Sequence, residues 1–200
     1  SLLVRGKVVI GDMSHAEEIE RMLQILGSIG VRFAWRDSRT LALDTSAPLE
    51  LNQIDKKTCA ATRVVLLLLG ALAAREKNYR LYKSGGCKLG NRTVRPHLFA
   101  LQKFGVTVKS FAKYYEVTNK SLRAAEVVMY ESGDTATENA IMAAVLAPGV
   151  TTIRYASANY MVQDLCHFLV AAGAKIQGIG TTTLTITGVK RLRAVPLYRV

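Results

Sequence analysis

The sequence is short of cysteine, of acidic residues and of long apolar runs, and each shortage removes a class of protein. Its three cysteines, Cys59, Cys87 and Cys166, are odd in number, far apart and without CxxC spacing. That excludes a disulfide framework and a zinc site of the usual spacing, and it reads as reduced thiols. No positively charged start precedes an apolar stretch and a small-residue cleavage site, so the expected location is the cytoplasm. The longest apolar run, Val64 to Ala74, is interrupted by Gly70 and is too short to span a bilayer. Acidic residues number 15 against 27 lysines and arginines, a formal net charge of +12. Such a surplus predicts attraction to anions, whether nucleic acid, a membrane surface or a phosphorylated small molecule. The cations recur in small groups, among them Lys56-Lys57, Arg75-Glu76-Lys77, Lys88 to Arg95 and Lys190-Arg191-Leu192-Arg193. Charge alone therefore does not choose a partner. With 50% hydrophobic and 21% charged residues over 200 positions, the composition is that of one globular domain with a real core.

What is present is a periodic alternation of strand and helix signals. Lys7 to Ile10 reads as a β-branched strand, and Ser14 with Glu17 reads as a capping box before an apolar stripe of Ile19, Met22, Leu23 and Leu26. Gly27 and Gly30 are expected to end that helix, and strands at Val31–Trp35 and Thr40–Asp44 flank a polar turn. From about Lys57 a long helix is expected, with Arg63 leading the run to Leu72, apolar nearly all round and hence buried on several sides. Strand Tyr79–Tyr82 follows, then a glycine-rich loop, a helix from Pro96 to Gly105, and strands Val106–Phe111 and Tyr115–Thr118. The last third reads as strand Val127–Tyr130, a capping box of Thr135 and Glu138, and a helix through Leu146. After it come strand Thr151–Tyr155, a helix capped by Asn159, and strands Lys175–Ile179 and Thr182–Thr187.

Three segments of this pattern are copies. Leu23 to Val31, Leu98 to Val106 and Cys166 to Ala174 are each a helix end, a glycine (Gly30, Gly105 or Gly173) and the start of a strand pair. Leu3-Val4-Arg5-Gly6 likewise resembles Leu146-Ala147-Pro148-Gly149. The expected fold is α/β (α+β): a single domain over 1–200, built as a threefold β-α-β-α-β-β array around buried helices. Its units span about 1–56, 57–122 and 123–200, the first without its opening strand and helix. The second unit is a few residues longer than its sisters, and the excess falls at Gly85-Gly86-Cys87. An insertion in one copy of a repeat is not needed to complete the core, so function tends to be mounted there.

That loop concentrates chemistry. Ser84-Gly85-Gly86-Cys87-Lys88-Leu89-Gly90-Asn91-Arg92-Thr93-Val94-Arg95-Pro96-His97 holds a thiol among three cations, which favour a thiolate. The pattern Gly85-Gly86-Cys87-x-x-Gly90-x-Arg92-x-Val94-x-x-His97 resembles the active-site loop of UDP-N-acetylglucosamine enolpyruvyl transferases. The resemblance extends to Arg63, to Ala136-Thr137-Glu138-Asn139 and to Gly173-Ala174-Lys175-Ile176 with Gly180-Thr181.

The resemblance implies an inside-out α/β barrel domain, one of two that close on a substrate cleft. It implies transfer of the enolpyruvyl group of phosphoenolpyruvate to a hydroxyl of UDP-N-acetylglucosamine with loss of phosphate, the first committed step of peptidoglycan synthesis. No metal or organic cofactor is implied. By resemblance, Cys87 manages a proton at the enol methylene carbon, and Arg92 holds the phosphate or carboxylate of phosphoenolpyruvate in a planar fork. Arg63 faces the nucleotide-sugar phosphates. Thr93, Val94, Arg95 and Pro96, with the helix start at Gly133, Asp134 and Thr135, line the nucleotide-sugar site, and His97 braces the loop. Cys59 and Cys166 read as core residues, His167 as a surface residue, His15 as a solvent-exposed titrating group and Trp35 as strand packing.

The chain also departs from the family. The Lys-Asn pair that grips phosphoenolpyruvate has no counterpart within these 200 residues, and the opposite domain is expected to lie outside them. Thr93 and Arg95 stand where proline and aspartate are usual, and Gly133-Asp134-Thr135 stands where Ser-Val-Gly is usual. The expectation is a piece that folds but shows no turnover by itself, its partner being the missing second domain, with no membrane partner. Other readings stay open: a non-catalytic paralogue, the shikimate branch of the superfamily, which generally lacks the cysteine loop, and a nucleic-acid-binding domain like RNA terminal phosphate cyclases. The last would suit the charge, but the sequence offers no basic-aromatic surface motif for it.

Overall fold

The alternating buried and exposed positions of the strand segments leave each sheet one apolar face, and such a face must be covered by helices or by another sheet. In the computed structural model, which describes residues 1–84 and 93–200, three small sheets turn those faces onto a shared set of helices. The strands are β1 (Lys7–Gly11), β2 (Arg32–Trp35), β3 (Leu41–Asp44), β4 (Asn78–Tyr82), β5 (Val106–Ser110) and β6 (Tyr114–Asn119). They continue as β7 (Glu126–Val128), β8 (Val150–Arg154), β9 (Lys175–Gln177), β10 (Thr183–Thr187) and β11 (Val195–Arg199). The helices are α1 (Glu17–Ser28), α2 (Lys56–Ala61), α3 (Leu68–Ala73), α4 (Arg95–Lys103), α5 (Asp134–Ala144) and α6 (Tyr160–Ala171).

The sheets repeat one plan. Their orders are β11-β1-β3-β2, β4-β6-β5 and β7-β8-β10-β9. In the first and third, a parallel edge pair (β1 with β11, β7 with β8) is followed by two antiparallel pairings. The second has the two antiparallel pairings and, among the described residues, no parallel edge strand. Gly30, Gly105 and Gly173 all follow helix ends with positive φ, +91°, +87° and +98°, the left-handed turn that glycine enters without a Cβ penalty. One backbone bond also recurs at the corner of each sheet: Thr45 to Gly6, Asn119 to Lys77 and Gly188 to Gly149, at 3.1, 2.7 and 2.9 Å, the first residue donating. The repeats read from the sequence are thus repeats of hydrogen bonding.

Several local expectations are corrected. The opening strand of the first sheet is supplied after all, by β11, which the sequence reading did not assign; Val8 pairs with Val195. The long helix led by Arg63 is broken. It runs as α2, an extended residue at Thr62, a 3-10 turn at Val64–Leu67, then α3. Neither capping box forms. Helix α1 begins at Glu17 with Ala16 at its N-cap, and three first-turn carboxylates, Glu17, Glu18 and Glu20, meet its positive end instead. Helix α5 begins one residue before Thr135, so that residue lies inside the first turn with Gly133 at the N-cap. Asn159 does occupy the N-cap of α6, but its side chain makes no capping bond. Gly27 lies within α1 instead of ending it; a Cβ there would stand 3.1 Å from the Phe33 ring. His15 has partners: it stacks on Trp35 at 4.0 Å and faces Glu20 and the Ser38 carbonyl.

The break in the apolar helix has a visible cause. The Asn139 amide of α5 is inserted at the junction, its Oδ1 accepting from the Gly70 N–H at 2.6 Å and its Nδ2 donating to the Leu66 carbonyl at 3.0 Å. Those two backbone groups stand four apart and would bond each other in an unbroken helix. The insertion requires close approach: a Cβ on Gly70 would lie 2.5 Å from the Asn139 carbonyl oxygen. Both ends of α3 are also held, the first by Tyr79 Oη donating to Leu69 O at 2.6 Å and the last by Asn119 Nδ2 donating to Ala73 O at 2.7 Å. The buried faces of all three sheets and the helices merge into one apolar core.

Candidate functional site

The start of α5, the 3-10 turn after Arg63 and the first turn of α4 converge on a cavity of about 560 Å³. It is lined by Arg63, Val64, Leu66, Thr93, His97, Glu131, Gly133, Asp134, Thr135 and Met161. Six of these, Arg63, Thr93, His97, Gly133, Asp134 and Thr135, were singled out from the sequence on three separated segments. Val94, Arg95 and Pro96 are not among the lining residues. Val94 is the N-cap of α4, Arg95 is exposed at its first position, and Pro96 is buried in the first turn. The Arg95 N–H donates to Thr93 Oγ1 at 3.2 Å, which fixes the hydroxyl at the helix start. Cys87 and Arg92 lie outside the described residues, as does the rest of the glycine loop from 85 to 92.

Electrostatics at this cavity are mixed. Gly133 as N-cap leaves the first N–H groups of α5 without a side-chain cap, and such an end favours negative charge. Asp134 already places a carboxylate there, but both its oxygens are engaged, accepting from Ser157 Oγ and from Asn159 Nδ2, the latter at 2.9 Å. That pair of bonds ties the start of α5 to the start of α6. Glu138, one turn further, is buried at 9% exposure; burial, with the Asp134 charge second, pushes its carboxyl up to about 7. Burial first, and the Arg63 charge second, bring His97 down to about 4. The imidazole is therefore neutral at physiological pH.

His97 is held by Asn139, whose Nδ2 donates to His97 Nδ1 at 2.8 Å. The other ring nitrogen, Nε2, lies 3.5 Å from the Thr135 hydroxyl. Asn139, Glu131 and Met161 were not assigned roles from the sequence. Asn139 stands in the quoted Ala136-Thr137-Glu138-Asn139 segment, but nothing local says that its amide reaches Leu66 and His97 on other elements. The remaining thiols are inert. Cys59 and Cys166 are buried, and burial raises them to about 12 and about 11. Among the described residues, no group of three or more His, Cys, Asp or Glu could hold a metal ion, and no helix is long and apolar enough to cross a membrane. With Arg63, hydroxyls and a helix start on one wall, the cavity can receive an oxyanion.

Comparison with known proteins agrees along the whole chain. The family model described as EPSP synthase (3-phosphoshikimate 1-carboxyvinyltransferase) matches residues 1–198. A UDP-N-acetylglucosamine 1-carboxyvinyltransferase of Hydrogenovibrio crunogenus is 38% identical across all of this chain and 47% of its own length. One from Bradyrhizobium diazoefficiens is 36% identical, over 94% of this chain and 43% of its own. Among solved structures, the enolpyruvyl transferase NikO from Streptomyces tendae superposes with a TM-score of 0.83 at 20% identity, covering 100% of this chain and 47% of its own. An EPSP synthase from Acinetobacter baumannii gives 0.74 at 13%, covering 99% and 45%. At those identities the structures speak to the fold. The chain spans about half the length of the curated relatives it matches.

Proposed function

The chain belongs to the EPSP synthase family, and on that premise we propose that it forms one wall of an enolpyruvyl transferase that acts on UDP-N-acetylglucosamine. The observation that carries the choice of acceptor is the set of relatives of that name, at 33–38% identity along nearly the whole chain. The Gly85-Gly86-Cys87 loop supports it against the shikimate branch. In the proposed reaction the acceptor hydroxyl gives up its proton to a base of the second domain and adds to the central carbon of phosphoenolpyruvate, while the methylene carbon of phosphoenolpyruvate gains a proton. The tetrahedral adduct then loses that proton equivalent and phosphate, restoring the double bond. Cys87 manages the proton, Arg92 grips the phosphate or carboxylate of phosphoenolpyruvate, and Arg63 faces the nucleotide-sugar phosphates. Thr93 and Gly133 to Thr135 line the nucleotide-sugar site, Val94, Arg95 and Pro96 support it from the start of α4, and His97 is their brace. The opposite wall belongs to a second domain of the same enzyme, and the cellular role is cytoplasmic peptidoglycan synthesis.

The decisive experiment exposes the two-domain protein to the epoxide fosfomycin with and without UDP-N-acetylglucosamine and reads the adduct by mass spectrometry. A nucleotide-sugar-dependent adduct on Cys87 is expected. An unmodified Cys87 under both conditions, in a protein that binds the nucleotide sugar, overturns its role. The 200-residue chain alone is expected to release no phosphate from the substrate pair, and robust turnover by it would refute the need for a second wall. One feature favours a second reading, a non-catalytic paralogue. Asp134 sets a fully hydrogen-bonded carboxylate at the helix start where the resemblance leads one to expect a small neutral residue. Binding of UDP-N-acetylglucosamine by the two-domain protein without turnover would select it.

A further inference from the structure

All three segments that wall the cavity meet at one side chain. The Asn139 amide reaches the junction behind Arg63 through Leu66 and Gly70, α4 through His97, and the first turn of its own helix through the Thr135 carbonyl, to which Nδ2 lies at 3.2 Å. The two ends of an asparagine amide are usually assigned by their neighbours, and here the neighbours are decisive. The Gly70 N–H can only donate and the Leu66 carbonyl can only accept. Oδ1 must therefore face Gly70, and Nδ2 must face Leu66 and, with it, His97.

We infer that Asn139 is a positioning residue that locks His97 as the Nε2–H tautomer, with the ring proton aimed at Thr135 Oγ1. A nitrogen that accepts from an amide N–H cannot itself carry a proton, so a neutral ring must hold its hydrogen on Nε2. The Thr135 hydroxyl then stands as the acceptor of that N–H. Its own hydrogen is left to point into the cavity, toward any oxyanion between Arg63 and the start of α5. The 3.5 Å separation is long for such a bond, and closure around an anion is expected to shorten it. Thr135 is exposed while His97 is nearly sealed. The ring, though at the cavity wall, therefore acts through the hydroxyl. Among the described residues, Arg63 before the 3-10 turn is the charge that acts on this ring, and Asp134 on α5 and Glu131 ahead of it line the same cavity. That the hydroxyl serves an oxyanion rests on the reading of the cavity given above; the tautomer does not.

The test is 15N nuclear magnetic resonance of the imidazoles in the unliganded 200-residue chain at neutral pH. The sequence has three histidines, and His15→Gln and His167→Gln, both at exposed positions, assign the third. Expected for His97 is a pyridine-type Nδ1 and a pyrrole-type Nε2. Asn139→Asp keeps an acceptor for the Gly70 N–H but withdraws the donor, so the ring should move its proton to Nδ1 or become an imidazolium. A wild-type ring protonated on Nδ1, or on both nitrogens, overturns the assignment even if the variant fails to fold. An Asn139→Asp spectrum identical to wild type in a folded chain overturns it as well. Since no ligand is present, failure here leaves the reading of the cavity standing, and failure of that reading appears separately in the fosfomycin experiment.

Discussion

The central pair α3 and α5 has two flanks built on opposite principles. On one, Gly70 lies so close to α5 that there is no room for a methyl group, and polar atoms of Asn139, His97 and two backbone groups satisfy one another. On the other, Leu67, Leu68 and Ala71 face Met142, Met161, Leu165 and Met22 across an apolar groove of about 310 Å³. The first flank borders the candidate site and the second does not touch it except through Met161. Geometry is thus specified where chemistry is expected, by contacts that tolerate no change of size. Where only burial is required, adaptable side chains suffice.

The sharpest test of this contrast compares two neighbouring residues. Gly70→Ala forces a Cβ against the Asn139 backbone and should cost about 3 kcal/mol, in the upper range for overpacking, seen as a lowered urea midpoint. A neutral or stabilising outcome would mean that the close approach is not obligatory. Next in size is a pH effect confined to the polar flank. Glu138, raised from 4.5 to about 7, contributes stability that is full below pH 4.5 and lost as pH rises through 7. His97, lowered from 6.5 to about 4, contributes stability that is full above pH 6.5 and lost as pH falls through 4. Between pH 4.5 and 6.5 the two oppose each other, so these groups leave the wild-type profile nearly flat there, with a fall near pH 7. Glu138→Gln should remove that fall and turn the flat window into a rise of up to about 3 kcal/mol, measured by denaturant titration at a series of pH values. An unchanged profile would show that Glu138 is not buried in its neutral form.

Smaller effects belong to the groove. Ala71→Leu, one residue from Gly70, extends into open apolar space and should change stability by less than about 1 kcal/mol, in either direction. Met22→Leu should do still less, since it is close to volume-conserving. A loss at Ala71 as large as that at Gly70 would erase the distinction between the flanks.

What could be read beforehand follows the range of the interactions involved. The three glycines, the strand pairs and the inert thiols were legible because a left-handed turn, an alternating pattern and a buried sulfur are each decided within a few residues. The break after Leu67 was not, because its cause is the side chain of Asn139, far along the sequence. Strand β11 was missed for a related reason. Its Pro196 and its lack of alternation give a weak local signal, and only pairing with β1 makes it a strand. Helix starts failed where backbone and carboxylates did the work assigned to serine and threonine. At the candidate site, Arg63, Thr93, His97 and Gly133 to Thr135 were found from the resemblance, and the structure brings them to one cavity. The amide behind them needed coordinates.

The pairing of β1 with β11 also has a consequence for how the chain is made. During synthesis β1, β2 and β3 emerge well before β11, so the partner for the outer side of β1 is translated only after the whole third repeat. Until then the first sheet offers the ribosome-bound chain a free edge, open to pairing with any other strand. Strand β11 works as a clasp. Arg199, bonded to Asp12 at 3.0 Å, and Tyr198, bonded to Asp164 at 2.7 Å, fasten it on both sides. Nascent chains halted before Val195 should accordingly be the protease-sensitive and aggregation-prone species, and emergence of β11 the step that ends that exposure.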